Sequence, residues 1–327
     1  MSTSTSTPVT PVGFESFYEQ IKDKPTFIVL GAQGSGTNLL SRILTRALDF
    51  SVTTDRSLIF NAAAKVCQDR TKERAMKEAK RVVYSLFPGP VRKRLLPKRY
   101  FNQNKNYIGI EEHLSNAFTD SPSEFANFFY SYHAFVISKL HKALKSDDIW
   151  ENINLLPEII PNYRVLLLIR DPRDNAISIT NKNFGPCEIY HASHFVRKRM
   201  DAYIGLADRA PGRAMSVKYE DLLSDPIACV KRLEGFVGAQ ITPDVEKQIE
   251  SLNIKRDNHQ KWKKLPLEDL AASEAVFADL LSRFDYERGT TGEWTASSLS
   301  RVRRAIKDKM MRVPQKIRVK SMRYFRG

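Results

Sequence analysis

Cysteine, long apolar runs and an apolar leader are what this 327-residue chain has least of. Its three cysteines, Cys67, Cys187 and Cys229, lie far apart and share no metal-ligand spacing. So few, and odd in number, they exclude a disulfide scaffold and a zinc site and fit reduced thiols in a cytoplasmic protein. No stretch approaches the roughly eighteen apolar residues that a bilayer span needs. Met1 to Pro8 has no basic region followed by an apolar one, so it reads as a flexible leader rather than a secretory signal. Internal repeats and low-complexity domains are missing too. What remains is a globular composition, 42% hydrophobic, in a chain long enough for one large core or two modest ones.

Acidic residues are the other shortage. The chain has 37 against 52 lysines and arginines, a formal charge of +15. Arg92-Lys93-Arg94 and Lys98-Arg99 form one basic stretch. The other is the tail from Ser300, where Arg301, Arg303, Arg304, Lys307, Lys309, Arg312, Lys316, Arg318, Lys320, Arg323 and Arg326 face the single acid Asp308. Such an excess favours an anionic partner: a polyanionic ligand, nucleic acid or an acidic membrane surface, with no specific nucleic acid expected. The plainer reading is a solvated charged face or a frayed terminus.

Glycine is sparse, yet three glycines crowd one place. The apolar run Phe27-Ile28-Val29-Leu30 reads as a buried parallel strand, Gly31, Gly34 and Gly36 follow, and Leu39 to Leu48 has helical apolar spacing. Strand, glycine turn and helix aim free backbone N–H groups and the positive end of a helix at an anion. Gly31 to Gly36 has the G-x-x-x-x-G spacing of a nucleotide-hydrolase loop, but Thr37-Asn38 stands where Lys-Ser/Thr is required. The lysine that reaches the outer phosphates is missing.

A second stretch runs from Tyr163 to Ser178. Val165 to Ile169 is continuously apolar, as a central parallel strand is, and Arg170 falls at its C-terminal end, where ligands of open α/β sheets bind. Asp171 can cap the next helix, Pro172 suits its first turn, and Ser178 lies about two turns along it. An arginine and a hydroxyl converging on one crevice suit a phosphate monoester. Alternatively, Arg170, Asp171, Arg173 and Asp174 form only an ion-pair cluster.

Elsewhere the pattern predicts a short helix over Gly13 to Lys24 and a charged helical run from Asn61 to Leu86, broken by Pro88-Gly89-Pro90. Tyr107 to Ile110 reads as a strand. A helix is expected to start at Ser121-Pro122 and carry the aromatic-rich run Phe125 to Leu144. An irregular region beyond Asn183 opens the helix to Arg209. Ala214 to Lys218 is a further strand, and helices are expected over Pro226 to Phe236 and Val276 to Phe284.

Together these residues resemble the sulfotransferases that use 3′-phosphoadenosine 5′-phosphosulfate (PAPS). Gln33-Gly34-Ser35-Gly36-Thr37-Asn38 is similar to the family's 5′-phosphosulfate loop, and Arg170-Asp171-Pro172-Arg173-Asp174 with Ser178 is similar to its 3′-phosphate motif. Val217 to Pro226 resembles the segment whose tyrosine, here Tyr219, lies by the nucleotide. Lys255-Arg256 followed by Trp262-Lys263 resembles the late basic loop, although Arg288 to Trp294 matches its letters more closely. The resemblance covers roughly residues 25 to 290. It implies an α/β fold: a single P-loop NTPase-like domain over 25–294 with a central parallel sheet flanked by helices and an irregular acceptor-binding region. Residues 1–24 would be a leader with a short helix, and 295–327 a basic C-terminal tail.

By the same resemblance PAPS is the co-substrate, no metal is needed, and the acceptor is a hydroxyl or amine, with a glycan or glycolipid favoured. The protein would be cytoplasmic, peripheral at a membrane if the tail engages one. Relatives carry a lysine or arginine where this chain has Gly34, so Arg56 or Lys182 would have to supply that cation, or backbone N–H groups replace it. Candidates for the base are, in order, Glu112 and His113, then Glu151, then Asp55. Two other readings fit parts of the pattern: a degenerate P-loop kinase, and a non-catalytic basic membrane- or nucleic-acid-binding protein with a vestigial nucleotide site.

Overall fold

The computed structural model describes residues 13–53, 57–86, 119–146, 148–255, 258–291, 294–295 and 297–324. Five strands, β1 (Thr26–Leu30), β2 (Phe50–Thr53), β3 (His141–Ser146), β4 (Tyr163–Ile169) and β5 (Ala214–Lys218), form a parallel sheet in the order β2-β3-β1-β4-β5, flanked by helices. All five residues of β1 are buried, as are six of the seven in β4, which is why both read as unbroken apolar runs. The chain divides into two compact units: residues 1–27, 49–144 and 155–163, and residues 28–48, 145–154 and 164–327.

The first unit is built on aromatic packing. Helices α1 (Phe14–Ile21), α3 (Leu58–Gln68), α4 (Lys72–Leu86) and α5 (Pro122–Val136) belong to it, and the β2–β3 ladder pairs Phe50 with His141 through Thr53 with Leu144. Phe14 meets Phe128, Tyr132 and Phe135 edge-on at 5.6, 5.0 and 5.5 Å between ring centroids. The Ser121 side chain caps α5 by accepting from Glu124 N, as the Ser-Pro start predicts.

Two sequence expectations fail in this unit. The helix from Ser121 does not run to Leu144. It stops at Val136, where Ser138 takes a left-handed conformation (φ 53°), Lys139 N donates to Ala134 O and Ser138 N to Phe135 O. This is a Schellman closure made without the usual glycine. His141–Ser146 is then a strand, hidden from pattern reading because Lys142 and Lys145 interrupt its apolar residues. The charged run from Asn61 to Leu86 is likewise two helices, separated where Thr71 caps the second by accepting from Arg74 N.

The second unit holds α2 (Thr37–Ala47), α6 (Pro172–Thr180), α7 (Ile189–Arg209), α8 (Tyr219–Ser224), α9 (Pro243–Glu250), α10 (Leu267–Arg283) and α11 (Ser298–Tyr324). The β4–β5 ladder pairs Val165 with Ala214 through Ile169 with Lys218. Helix α7 starts at Ile189, earlier than the irregular region beyond Asn183 suggests, because the Glu188 carboxylate caps it by accepting from His191 N. Helix α10 begins nine residues before Val276, and Pro226 to Phe236 breaks into two short turns. Over its described residues the basic tail is one helix from Ser298 to Tyr324, and its N-terminal part is docked. Arg304 is buried against Glu188 and Asp269, and Asp308 Oδ1 accepts from Cys187 N (2.6 Å) and Glu188 N (3.1 Å). Cys67, Cys187 and Cys229 form no disulfide with one another. Among the described residues no helix is long and apolar enough to cross a membrane.

Candidate active site

The glycine loop lies in the second unit, between the end of β1 and α2. Ser35 N turns back to Ala32 O (2.9 Å), and Gly34 and Gly36 both have positive φ, 91° and 95°. Conformation is only half the reason for glycine here. A Cβ on Gly34 would come within 2.9 Å of the Ser178 Cβ, and one on Gly36 within 2.2 Å of the Tyr219 ring. The loop is thus pressed against the two residues that, with Arg170, the sequence places at a nucleotide. The first is the more informative contact. A lysine at position 34 would need both a strained backbone and a displaced α6, so the missing cation is built into the packing.

Arg170, at the end of β4, is only 2% exposed. Its Nη1 donates to Gly34 O (2.6 Å), and Nη2 to Asn258 O (2.7 Å) and Asp174 Oδ2 (3.3 Å). The guanidinium carbon stands 4.7 Å from the centre of the Tyr219 ring, and Asn258 Nδ2 donates to the Tyr219 hydroxyl (2.9 Å). Ser178 Oγ, one turn beyond Asp174, donates to the Asp174 carbonyl (2.9 Å). Burial pushes the Asp174 carboxyl up, the Arg170 charge draws it down, and the net direction is upward.

Several buried polar atoms around this loop have no hydrogen-bond partner among the described residues: Ser35 Oγ, Gln33 Oε1, Arg170 Nε and Asn175 Oδ1. Orphaned polar groups are costly in a finished core and point to a site that a ligand completes. The N–H group of Asn38, in the first turn of α2, has no intrahelical acceptor by the geometry of a helix start. A hydroxyl, a guanidinium N–H and a helix N–H group make a donor set for an anion with several oxygens.

The remaining sequence candidates fall in several places. Lys255 is exposed, and its carbonyl accepts from Asn258 N (3.4 Å), so its loop is the one whose Asn258 meets Arg170. The rival match, Arg288 to Trp294, of which 292–293 lie outside the described residues, is anchored differently: Gly289 N, Thr290 N and Thr290 Oγ1 all donate to Glu274. Glu151 is exposed on the 3-10 turn Ile149–Leu155 after β3, and Lys182 is exposed beyond α6. Glu112, His113, Asp55, Arg56 and Arg256 lie outside the described residues.

Sequence reasoning passed over Asp148. Its Oδ1 accepts from Gln33 Nε2 (2.9 Å), and its own N–H donates to the Ser146 hydroxyl at the end of β3 (3.1 Å). This carboxylate is tied to the loop, three residues before Glu151, and no local pattern in the sequence announces it. A cavity of about 700 Å³ opens on the other side of the α6 start, lined by Asp171, Glu220, Asp221, Asp285 and Glu287 with Arg173 and Lys263. Carboxylates dominate it, so it is unsuited to a phosphate or sulfate.

A family model described as "Sulfotransferase family" matches residues 25–244, two thirds of the chain, including the glycine loop and Arg170 to Asp174. The chain belongs to the sulfotransferase family. Solved structures agree on the fold. The sulfotransferase domain from the Synechococcus PCC 7002 olefin synthase superposes with a TM-score of 0.53 at 17% identity, over 81% of this chain and 95% of that one. The sulfotransferase domain from the curacin biosynthetic pathway gives 0.52 at 16% identity, over 80% and 98%. A search among curated proteins returned no match. This sulfotransferase therefore has the family's fold, with a glycine at loop position 34.

Proposed function

We propose that the protein is a PAPS-dependent sulfotransferase acting on a hydroxyl or amine acceptor, with glycans and glycolipids the first class to screen. PAPS would supply the activated sulfuryl group, leaving as adenosine 3′,5′-bisphosphate. The observation that carries this reading is Arg170, buried beneath the glycine loop with Nε unpartnered and Ser178 packed on the same loop. In this reading Arg170 and Ser178 hold the 3′-phosphate, Tyr219 lines the nucleotide, and Lys255 and Arg256 supply charge from the late loop.

Ser35 Oγ and the N–H groups of Gly36, Thr37 and Asn38 hold the 5′ oxygens, with Gln33 and Gly34 shaping the turn. Their fixed positions stabilise charge developing on the leaving oxygen, where relatives use a side-chain cation. Catalysis of in-line transfer then rests on positioning and charge rather than covalent participation. The acceptor loses a proton as it attacks. Asp148, exposed like Glu151 but hydrogen-bonded to the loop through Gln33, takes it.

Calorimetric titration with adenosine 3′,5′-bisphosphate, beside ADP and magnesium-ATP, tests the proposal. Tight binding of the bisphosphate and little response to ADP is the expected result. Preference for magnesium-ATP would overturn it in favour of phosphoryl transfer, and silence toward all three would mean a vestigial site. With the donor established, Asp148→Asn should lower kcat at unchanged bisphosphate affinity.

A further inference from the structure

Helix α11 (Ser298–Tyr324) is put together the wrong way round for a helix on a protein surface. The face that meets the domain is ionic. Arg304 and Asp308, one turn apart and nearly fully buried, hold it to Glu188, Asp269 and the backbone of Cys187. The opposite face is apolar and open. Leu299, Val302, Ile306 and Met310 recur at spacings of three, four and four, a single stripe down one side, and Leu299 and Met310 are 80% and 69% exposed. Burial normally puts the apolar stripe inward; here ion pairs dock the helix and leave the stripe to something else.

The cations say what that is. Arg303 and Lys307 run along one edge of the stripe and Lys309 along the other, all exposed, although Lys307 also reaches Asp269 at 3.6 Å. The sequence stays basic to Arg326, with only Asp308 in opposition, and Asp308 is consumed by the docking contacts. An apolar seam edged by lysine and arginine fits an anionic lipid surface: the seam enters the acyl boundary while the cations lie among headgroups. We infer that α11 is an interfacial helix that binds the sulfotransferase to anionic membranes. The inference does not depend on which nucleotide the glycine loop holds.

Sedimentation of the full-length protein with vesicles tests it. Vesicles of phosphatidylcholine carrying about 30% phosphatidylglycerol should bind at least about tenfold more protein than pure phosphatidylcholine, and raising salt from about 0.1 to about 0.5 M should weaken that binding. The double substitution Val302→Glu/Ile306→Glu should abolish it. Both positions are exposed, so melting temperature and nucleotide affinity should stay put. Arg303→Glu/Lys309→Glu should lose the preference for anionic vesicles. Failure to bind anionic vesicles, equal binding to both compositions, or full binding by Val302→Glu/Ile306→Glu would each overturn the inference. So would a concentration-dependent dimer, seen by light scattering and removed by the same variant, since the stripe would then belong to a second copy of the chain.

Discussion

Arg170 and Arg173 stand three residues apart at one strand-to-helix junction, both buried, and their surroundings differ in kind. Arg173 is saturated. It donates twice from its side chain to Asp171 and once to Glu274, and its guanidinium lies 3.6 Å from the Trp262 ring centre. Glu274 in turn gathers Gly289 and Thr290, so this arginine is the hub that ties α6, α10 and the 289–290 segment together. Arg170 spends its Nη atoms on two carbonyls and a 3.3 Å contact with Asp174, and keeps Nε unpartnered. An arginine fully enclosed by carboxylates is structural. One held by carbonyls beside orphaned donors retains positive potential for a ligand.

That contrast can be broken from either side. Arg173→Ala removes the cation shared by the buried carboxylates Asp171 and Glu274, leaving Glu274 only a 4.0 Å contact with Arg288, and should cost about 3–5 kcal/mol of stability. Urea unfolding would show it as a large fall in midpoint, with bisphosphate binding lost only as the fold is lost. Arg170→Ala should do the reverse, cutting adenosine 3′,5′-bisphosphate affinity by about 3 kcal/mol, on the order of a hundredfold, while stability falls by less than half the Arg173 value. Paired calorimetry and unfolding curves separate the two. If both variants unfold alike and bind alike, the division between structural and ligand-holding arginine is wrong.

Gly36→Ala sharpens the comparison on the ligand side alone. The new methyl would have to displace the Tyr219 ring, on which Arg170 stacks, and would sit at a φ of 95°. Strain of this kind costs about 1–3 kcal/mol. Bisphosphate affinity should drop by about tenfold or more, whereas Gly235→Ala, with open space around its Cβ position, should leave affinity untouched.

These features differ in how far they could be read from the chain. The glycine loop, β4 and the Asp171 cap are legible because each rests on local chemistry: a turn that needs glycine, a buried strand that needs apolar residues, a helix start that needs an acceptor. What separates Arg170 from Arg173 is not local. Their partners Asn258, Glu274 and Trp262 lie about ninety to a hundred residues away in sequence, and nothing in Arg-Asp-Pro-Arg-Asp tells which arginine will be enclosed. Asp148 is opaque for the same reason, being placed by β3, a strand whose lysines conceal its period. The tail misleads in the opposite sense. Its charge count points to a frayed arm, yet Arg304 and Asp308 are where the helix docks.

The smallest effect separates the two arginine environments by sign. At Glu274 burial raises the carboxyl pKa, but Thr290, the Gly289 N–H and Arg173 outweigh it and hold the group below its ordinary value of 4.5. Its folded form therefore binds fewer protons than the unfolded chain as pH falls below about 4.5, and the stability it contributes, present above that pH, is lost as pH drops through the lowered value. Asp174 goes the other way. Burial, only partly offset by Arg170, raises it above 3.8, so its folded form binds more protons, and ionising it above the raised pKa costs stability that is recovered on acidification. In unfolding titrations between about pH 3 and pH 6, Glu274→Gln should flatten the acid-side fall in stability and Asp174→Asn should steepen it. A bound anion beside Arg170 favours the protonated carboxyl of Asp174, so saturating bisphosphate should enlarge the Asp174→Asn difference and leave that of Glu274→Gln alone. Equal responses at both carboxylates would mean that the two arginines share one electrostatic environment, and that Arg170 holds no separate site.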